Sequence, residues 1–492
     1  MSGVTITTAV RTGAINLGTA PAATFFLVGT SERGIGGSPV LVTSLEDFET
    51  KFGVHVTSSY SWFSMKTFFE EGGVQAYFSR VTLSTTVAAT KALVVGASSP
   101  GITLTAVGKG TWANGGSGIG LKVAVTNNTT NFDVSITYAD VAIFSGTGYT
   151  TLTEAIQGIN SSLTAKNYCV ASLTAGAADA TLLATAASAS FAGGTDGTPV
   201  KADAVTALGF FTEALGSGSV AIPGFATGSG DATIYDALRT HASAYNRIAL
   251  CGFTESATLT QARSASTSYT GTTGHEYMAF YHPWVIVPNG GVSVSVPPES
   301  YVAAVRSRTH NSTGSWKAYA GVASEAQFIT DTSLPVSRSE SDLMDASYVN
   351  PIRVINGRVR IYGARSHSTV VSQWRFINAR DTINYIVTEA EKRLEDLVFS
   401  TIDGRSTVYA NVINAIQSVV EPIRVNGGFY EGFSADGRRI DYGYTIKCDS
   451  TLNPLNQLEA GTLTARVGVR VSSIGDKIEV DLIKSNLTTA LA

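Results

Sequence analysis

The sequence predicts an α/β chain of α+β multidomain type: a discontinuous α/β core domain, an inserted β-rich domain, an α+β C-terminal domain, and extended N- and C-terminal strand arms. Its 492 residues suffice for about three domains of about 150 residues each. Apolar strand-like runs alternate with amphipathic helical patterns, and a stretch rich in Thr, Ser, Ala and Gly interrupts them. The predicted divisions are 1–20, 21–84, 85–198, 199–344, 345–475 and 476–492.

Residues 21–84 form the first part of the predicted core domain. The run at 22–30 is apolar and is ended by Gly29, which is typical of a buried central strand. Thr43 and Glu46 have the spacing of a capping box and predict the start of a helix. The predicted elements are strands at 22–30 and 40–42, helices at 43–51 and 60–71, and a strand at 75–81. This order predicts the opening of an open α/β sheet.

The segment 85–198 differs in composition and is predicted to be the inserted domain. Its alternating segments predict strands near 102–107, 121–126, 132–138 and 141–144, with turn residues between them. The α/β pattern resumes in 199–344. There we expect helices at 202–215, 231–244 and 300–310, and strands at 219–223, 247–252 and 279–287.

The C-terminal domain is predicted over 345–475. Its expected helices span 379–399 and 406–419, and Asp436-Gly437 predicts a hairpin turn. The expected strands are a pair within 352–364 and segments at 423–433, 439–448 and 461–471.

Each end of the chain carries a short segment with the alternation of a strand. The apolar positions are Val4, Ile6 and Val10 at one end and Ile478, Val480 and Leu482 at the other. The N-terminal strand has no obvious hairpin partner, whereas 467–471 could pair with 477–483. Two readings stay open: the arms are edge strands of their own domains, or they complete sheets of neighbouring subunits by strand addition.

The predicted helix at 379–399 carries many charges of both signs. They include Arg380, Lys392 and Arg393. Such a helix is either a solvated face or, in a polymer, a docking helix.

Composition excludes several classes of protein. Charged residues make up 15% of the chain, against a usual share of about 25%, and the net charge is −4. Neither a basic nucleic-acid-binding surface nor a membrane-spanning helix is expected, and the N-terminus lacks a secretory pattern. We expect a soluble protein made in a cytoplasm, with much of its surface covered by other subunits. Cys169, Cys251 and Cys448 are expected to be reduced and buried.

No motif for catalysis or cofactor binding is complete, so we expect no enzyme activity and no cofactor. The glycine spacing of Gly29 to Gly34 resembles a phosphate loop, but Ile35 and Gly36 replace the required Lys and Ser or Thr. His275 begins a zinc-protease pattern that lacks its second His. Glu340 and Asp342 are the nearest approach to paired catalytic carboxylates, and we expect them in a solvated turn.

Several stretches together resemble the contractile tail sheath protein family. Near the N-terminus these are residues 26–30, 39–48 and 68–77; further stretches are 281–285, 296–298, 315–318, 356–365 and 374–380. Their order and spacing cover most of the chain, apart from the predicted insert.

The resemblance implies a structural subunit of a virion tail, assembled in the host cytoplasm. Stacked hexameric rings would surround a tail tube and contract on a baseplate trigger, with tube, baseplate and tail terminator proteins as partners. The inserted domain would lie on the outside of the sheath. The C-terminal domain would lie at the inner radius, so Arg380, Lys392 and Arg393 become candidates to face the tube. The alternatives are the sheath of a phage-derived injection system or bacteriocin, a surface polysaccharide-active enzyme, and a capsid or tube protein.

Overall fold

The computed structural model describes residues 5–6, 9–10, 23–55, 59–117, 119–226, 230–402 and 404–476. The chain divides into two compact units, Met1–Val398 and Phe399–Ala492. The sequence predicts a boundary at 345 instead. The difference arises because the strand Val349–Ile355 pairs with the core strand Met278–His282, and composition does not reveal such a non-local pairing.

The first part of the core has the predicted order of elements. These elements are β3 (Thr24–Gly29), β4 (Val40–Val42), α1 (Leu45–Phe52), α2 (Ser61–Glu70) and β5 (Gln75–Arg80). They follow two short strands of the N-terminal segment, β1 (Thr5–Ile6) and β2 (Ala9–Val10). Helix α1 is capped by Ser44, whose hydroxyl accepts a hydrogen bond from the Asp47 N–H at 3.0 Å. The capping box predicted at Thr43 and Glu46 is therefore one residue too early.

The inserted region contains the four predicted strands and a helix that was not predicted. Its elements are β6 (Thr90–Val95), β7 (Ser99–Ala106), β8 (Leu121–Asn127), β9 (Phe132–Tyr138), β10 (Val141–Tyr149), α3 (Leu152–Ser161), β11 (Cys169–Leu173) and β12 (Ala186–Ser190). They form two sheets, ordered β10-β9-β8-β12 and β11-β7-β6, around a separate apolar core. Helix α3 starts at a capping box made by Thr151 and Glu154.

The chain then returns to the core and completes it. The elements are α4 (Lys201–Leu208), β13 (Gly218–Ala221), α5 (Ala232–Ala244), β14 (Arg247–Cys251), α6 (Leu259–Tyr269), β15 (Met278–His282), β16 (Val285–Asn289), β17 (Val292–Val296), α7 (Glu299–Ser312), β18 (Asp331–Thr332), α8 (Arg338–Ala346), β19 (Val349–Ile355), β20 (Arg358–Ile361), α9 (Val371–Trp374) and α10 (Ile377–Glu395).

An eight-stranded sheet organises this unit, with the strand order β20-β19-β15-β14-β13-β3-β5-β4. The six inner strands are parallel, and β4 and β20 add antiparallel edges. Helices cover both faces of the sheet. Alternate residues of β3 therefore enter different cores: Phe25 packs with α1, α2 and α7, and Phe26 packs with α4 and α5. This is an open, doubly wound α/β sheet, which confirms the predicted fold class.

Polar contacts fix the insert to the core. Arg80, at the end of β5, donates to the Gly34 and Lys109 carbonyls, both at 3.0 Å. The Tyr138 hydroxyl donates to Glu32 at 2.6 Å, and the Arg33 guanidinium lies 4.1 Å from the centre of the Tyr168 ring. The insert is thus held by side chains of one core loop and one strand end.

The second unit is smaller and is built around one helix. Its elements are α11 (Thr407–Val425), β21 (Gly432–Phe433), β22 (Arg439–Asp441), β23 (Tyr444–Lys447), α12 (Leu455–Glu459) and β24 (Arg466–Val469). The strand predicted at 423–433 is wrong over its first part, because α11 continues to Val425. The predicted hairpin turn is confirmed: β21 pairs with β22, and Gly437 has a φ of 80° that favours glycine.

Candidate assembly interface

Helix α11 is the scaffold of the second unit. Its buried residues are Val408, Val412, Ile416, Val419, Val420 and Ile423. Their spacing of three and four residues places them on one face of the helix. The Tyr444 hydroxyl, on β23, donates to Glu421 of α11 at 2.8 Å, which ties the helix to a strand.

The strands of this unit form two sheets of only two strands each. One is β21-β22 and the other is β23-β24. Within the described part of the chain, each strand therefore has one edge without a strand partner. An unpaired edge presents backbone N–H and C=O groups that can accept a further strand.

Large apolar side chains are exposed around these strands. Tyr430, Phe433, Ile440, Tyr442 and Leu455 are 51–79% exposed. Exposed apolar side chains on a unit with free strand edges are typical of a surface that another chain covers. This surface, defined by these five residues and the edges of β21 to β24, is the candidate assembly interface.

Several charges of this unit are mutually paired. Arg424 donates to Glu421 at 3.0 Å and to Glu431 at 2.7 Å, and Arg439 lies 3.0 Å from Glu431. The hydrogen bonds from Arg424 lower the pKa of Glu421. Both guanidinium groups also lie over the Tyr442 ring, at 5.2 and 5.1 Å from its centre. The surface is thus aromatic with compensated charge.

The predicted arm residues are only partly within the described residues. Val4, Ile478, Val480 and Leu482 lie outside them. Ile6 and Val10 lie in β1 and β2, which pair with each other in antiparallel register. The expectation that the N-terminal strand lacks a nearby partner is therefore wrong. Residues 466–469 pair with β23, and the other half of the proposed hairpin, 477–483, lies outside the described residues. An inter-subunit role for the arms stays a prediction.

The charged helix is α10, and its three predicted residues have different surroundings. Arg380 is buried, donates to Asn384 at 2.9 Å, and lies 4.2 Å from the centre of the Tyr277 ring. Because its side chain is buried within the chain, it is unsuited to contacting a tube. Lys392 pairs with Glu389 at 2.6 Å, and Arg393 is exposed. A tube-facing role stays a prediction for these two.

The residues that resemble catalytic or metal-binding groups in the sequence have structural roles. Glu340 lies in α8, not in a turn as predicted, and its carboxylate accepts from the Ser337 N–H at 2.8 Å as a helix cap. The buried imidazole of His275 lies 3.0 Å from that of His367. The cysteines are free and buried, and burial raises the pKa of Cys169 to about 12. Among the described residues, no group of three His, Cys, Asp or Glu could hold a metal ion.

No helix in the described ranges is both long and apolar enough to cross a membrane. No protein-family profile matches the sequence, and no curated protein matches it by sequence. Solved structures do match. The sheath tail protein Lin1278 from Listeria innocua has a TM-score of 0.61 and 14% identity, with 87% of this chain and 89% of that one covered. The contracted helical sheath of the anti-feeding prophage has a TM-score of 0.54 and 14% identity, covering 98% and 100%.

The chain has the tail-sheath protein fold. A contracted sheath complex of an extracellular contractile injection system, PVC, gives the same result, with a TM-score of 0.53, 15% identity and coverage of 98% and 99%. Coverage of nearly the whole of both chains means that the sheath fold includes the insert and the second unit. The sequence resemblance to this family is therefore confirmed at the level of fold.

Proposed function

We propose that this chain is the structural subunit of a contractile tail sheath. The observation that carries the proposal is the tail-sheath fold over nearly the whole chain. The candidate assembly interface supports it independently, because exposed aromatic side chains beside free strand edges are suited to strand addition from another copy.

In this proposal the subunits form stacked hexameric rings around a tail tube, with baseplate and tail terminator proteins at the ends. The two arms lend strands to neighbouring subunits and keep the array connected. A baseplate trigger releases an extended array that is metastable relative to the contracted one. Contraction then drives the tube through the target envelope, and differences in subunit contacts supply the free energy.

The proposed role is non-enzymatic. The carboxylate and histidine candidates of the sequence are engaged in a helix cap and a buried pair. Since contraction draws on stored contact energy, no nucleotide is required. We place the protein in the tail sheath of a virion, assembled in the host cytoplasm.

A second candidate is the sheath of an injection device that carries no genome. The coverage of the anti-feeding prophage and PVC sheaths favours it to the same degree. Purification of particles from the producing cells distinguishes the two: heads filled with DNA indicate a virion, and headless contractile particles indicate an injection device.

The central experiment is polymerisation of the purified chain, followed by negative-stain electron microscopy. We expect hollow cylinders with sixfold end views, formed equally with and without ATP. The proposal would be contradicted by a folded, monomeric chain that never polymerises, at any concentration and with a tail tube added.

A further inference from the structure

The core unit contains a cavity that the assembly proposal does not use. It has a volume of about 550 Å³ and lies at the carboxyl ends of β13 and β14. Parallel strands end there in the loops that start at Ile222 and Gly252, next to Trp284 after β15. This edge of an open α/β sheet is where such folds hold ligands in general.

One carboxylate is enclosed in this cavity. Glu299, the first residue of the 14-residue helix α7, is only 6% exposed, and its Oε2 has no hydrogen-bond partner among the described residues. Its Oε1 packs so tightly on the strand end that a Cβ at Gly252 would lie 2.6 Å from it. A buried acceptor without a partner costs free energy, so the cavity offers a place for a donor that carries positive charge.

Much of the remaining wall is aromatic and apolar, and Thr254 and Ser256 add hydroxyl groups to it. Tyr60 and Trp284 meet edge to face with ring centres 5.1 Å apart. The Trp284 indole N–H already donates to the Phe253 carbonyl at 2.7 Å, and the Tyr235 hydroxyl to the Gly252 carbonyl at 2.8 Å. Because these polar atoms are engaged, the rings offer the cavity their apolar surface and π-electrons.

The charges that line the cavity select the sign of a ligand. Glu255 is exposed beside the cavity, Glu299 is enclosed, and the described lining residues include no lysine or arginine. An anion would meet two carboxylates. A metal ion would find few oxygen ligands, because the wall is mainly apolar. An organic cation can pair with the carboxylates through its charge and contact the aromatic wall through its apolar part.

We propose that this cavity binds a small primary alkylammonium ion, with the ammonium group at Glu299 and the alkyl chain against the aromatic wall. The inference does not rest on the proposed function, because binding is a property of the unpolymerised chain.

Binding should depend on pH in a defined direction. Burial raises the pKa of Glu299 to about 7. The titratable groups near it are Glu255, Cys251 and Tyr235, and the last two are neutral at pH 6–8 because burial raises the pKa of each. An alkylammonium ion keeps its charge over this range, so affinity follows the ionised fraction of Glu299. That fraction rises roughly tenfold from pH 6 to pH 8 for a pKa near 7.

The test is isothermal titration calorimetry of the whole chain with n-butylammonium, below the concentration at which the chain polymerises. We expect one site per chain, with an affinity roughly tenfold weaker at pH 6 than at pH 8. The Glu299→Gln variant should bind at least tenfold more weakly, and the exposed-site control Glu459→Gln should bind as wild type. A crystal structure with the amine should show it between Glu299 and Trp284.

Three results of the binding measurements at a single pH would overturn the proposal: no saturable binding of n-butylammonium, equal binding of n-pentanol, and unchanged affinity in Glu299→Gln. The pH series uses the wild-type chain, so an affinity that does not change between pH 6 and pH 8 also overturns it, even if the variant fails to fold.

Discussion

Arg306 and Asp381 form an ion pair inside the core unit, with Nη2 and Oδ1 2.5 Å apart and side chains 2% and 0% exposed. The Arg306 Nε also donates to Oδ2 at 3.1 Å, so the contact is bidentate. It joins α7, packed on the core sheet, to the charged helix α10. The pair therefore fixes the position of the helix for which a tube-facing role is predicted.

Removing one partner of this pair should be strongly destabilising. In Asp381→Ala the buried Arg306 guanidinium loses this carboxylate, which costs about 3–5 kcal/mol. The double variant Arg306→Met with Asp381→Leu removes both charges and should recover most of the loss. Differential scanning calorimetry of the three chains measures this. A double variant with a Tm no higher than that of Asp381→Ala would contradict the interpretation.

The pair His275 and His367 should weaken the fold in acid. Burial, and to a smaller extent the neighbouring His275, lowers the pKa of His367 to about 3. Burial, and to a smaller extent Arg239, lowers the pKa of His275. Asp236 and Tyr269 also lie nearby. Because an unfolded histidine titrates near pH 6.5, the unfolded chain binds more protons below that pH. Each such histidine then costs about 1.4 kcal/mol of stability per pH unit as pH falls from about 6.5 toward its folded pKa.

Urea denaturation between pH 7 and pH 5 tests this through the slope of stability against pH. His367→Gln should have a flatter slope than wild type, and His55→Gln, at an exposed position, should keep the wild-type slope. The slope difference is the decisive quantity, because the raised pKa of Glu299 acts with the opposite sign in all three chains. Equal slopes for His367→Gln and wild type would contradict the prediction.

Arg80 should determine how firmly the insert is held. Burial lowers the pKa of Arg80 to about 10, so its guanidinium is still charged at neutral pH. It donates hydrogen bonds to backbone carbonyls of both the core loop and the insert. Each such charged hydrogen bond contributes about 1.5–3 kcal/mol. Arg80→Met should therefore speed hydrogen exchange of the backbone at 31–36 and 107–111. Lys166→Met, at an exposed position of the insert, is the matched control and should exchange as wild type.

The core strands could be predicted well from the sequence, because most of them contain a continuous run of apolar residues. The apolar run through Phe25 and Val28 is continuous only because both faces of β3 are covered. Helix α3 was missed although Thr151 and Glu154 have capping-box spacing, since the surrounding Thr, Ala and Gly favoured strands and turns. The start of α3 could therefore have been predicted from this spacing.

Other features carry no local signal. The membership of β19 in the core sheet depends on its pairing with β15, far earlier in the chain. The enclosure of Glu299 depends on the strand end at Gly252, and the burial of Arg380 depends on Tyr277, each remote in sequence. Arg380 was instead predicted on a solvated or docking helix. The free edges of β21 to β24 likewise emerge only once the pairing of strands is known.

The candidate assembly interface makes the sharpest prediction about polymerisation. Phe433 and Ile440 are 56% and 69% exposed on the paired strands β21 and β22. Burial of such a side chain by a neighbouring copy contributes about 1.5–3 kcal/mol. The double variant Phe433→Ser with Ile440→Ser should keep its circular dichroism spectrum, because neither residue is in the core, and should need at least tenfold more protein to polymerise.

Leu163→Ser provides the control for that experiment, since Leu163 is 78% exposed but lies in the insert, which we place on the outside of the sheath. Pelleting over a concentration series, with negative-stain images of each pellet, measures the polymerisation threshold. If the double variant polymerises at the wild-type threshold, the strands β21 and β22 are not an inter-subunit surface. If Leu163→Ser raises the threshold as much, the insert takes part in subunit contacts, and its outward placement is wrong.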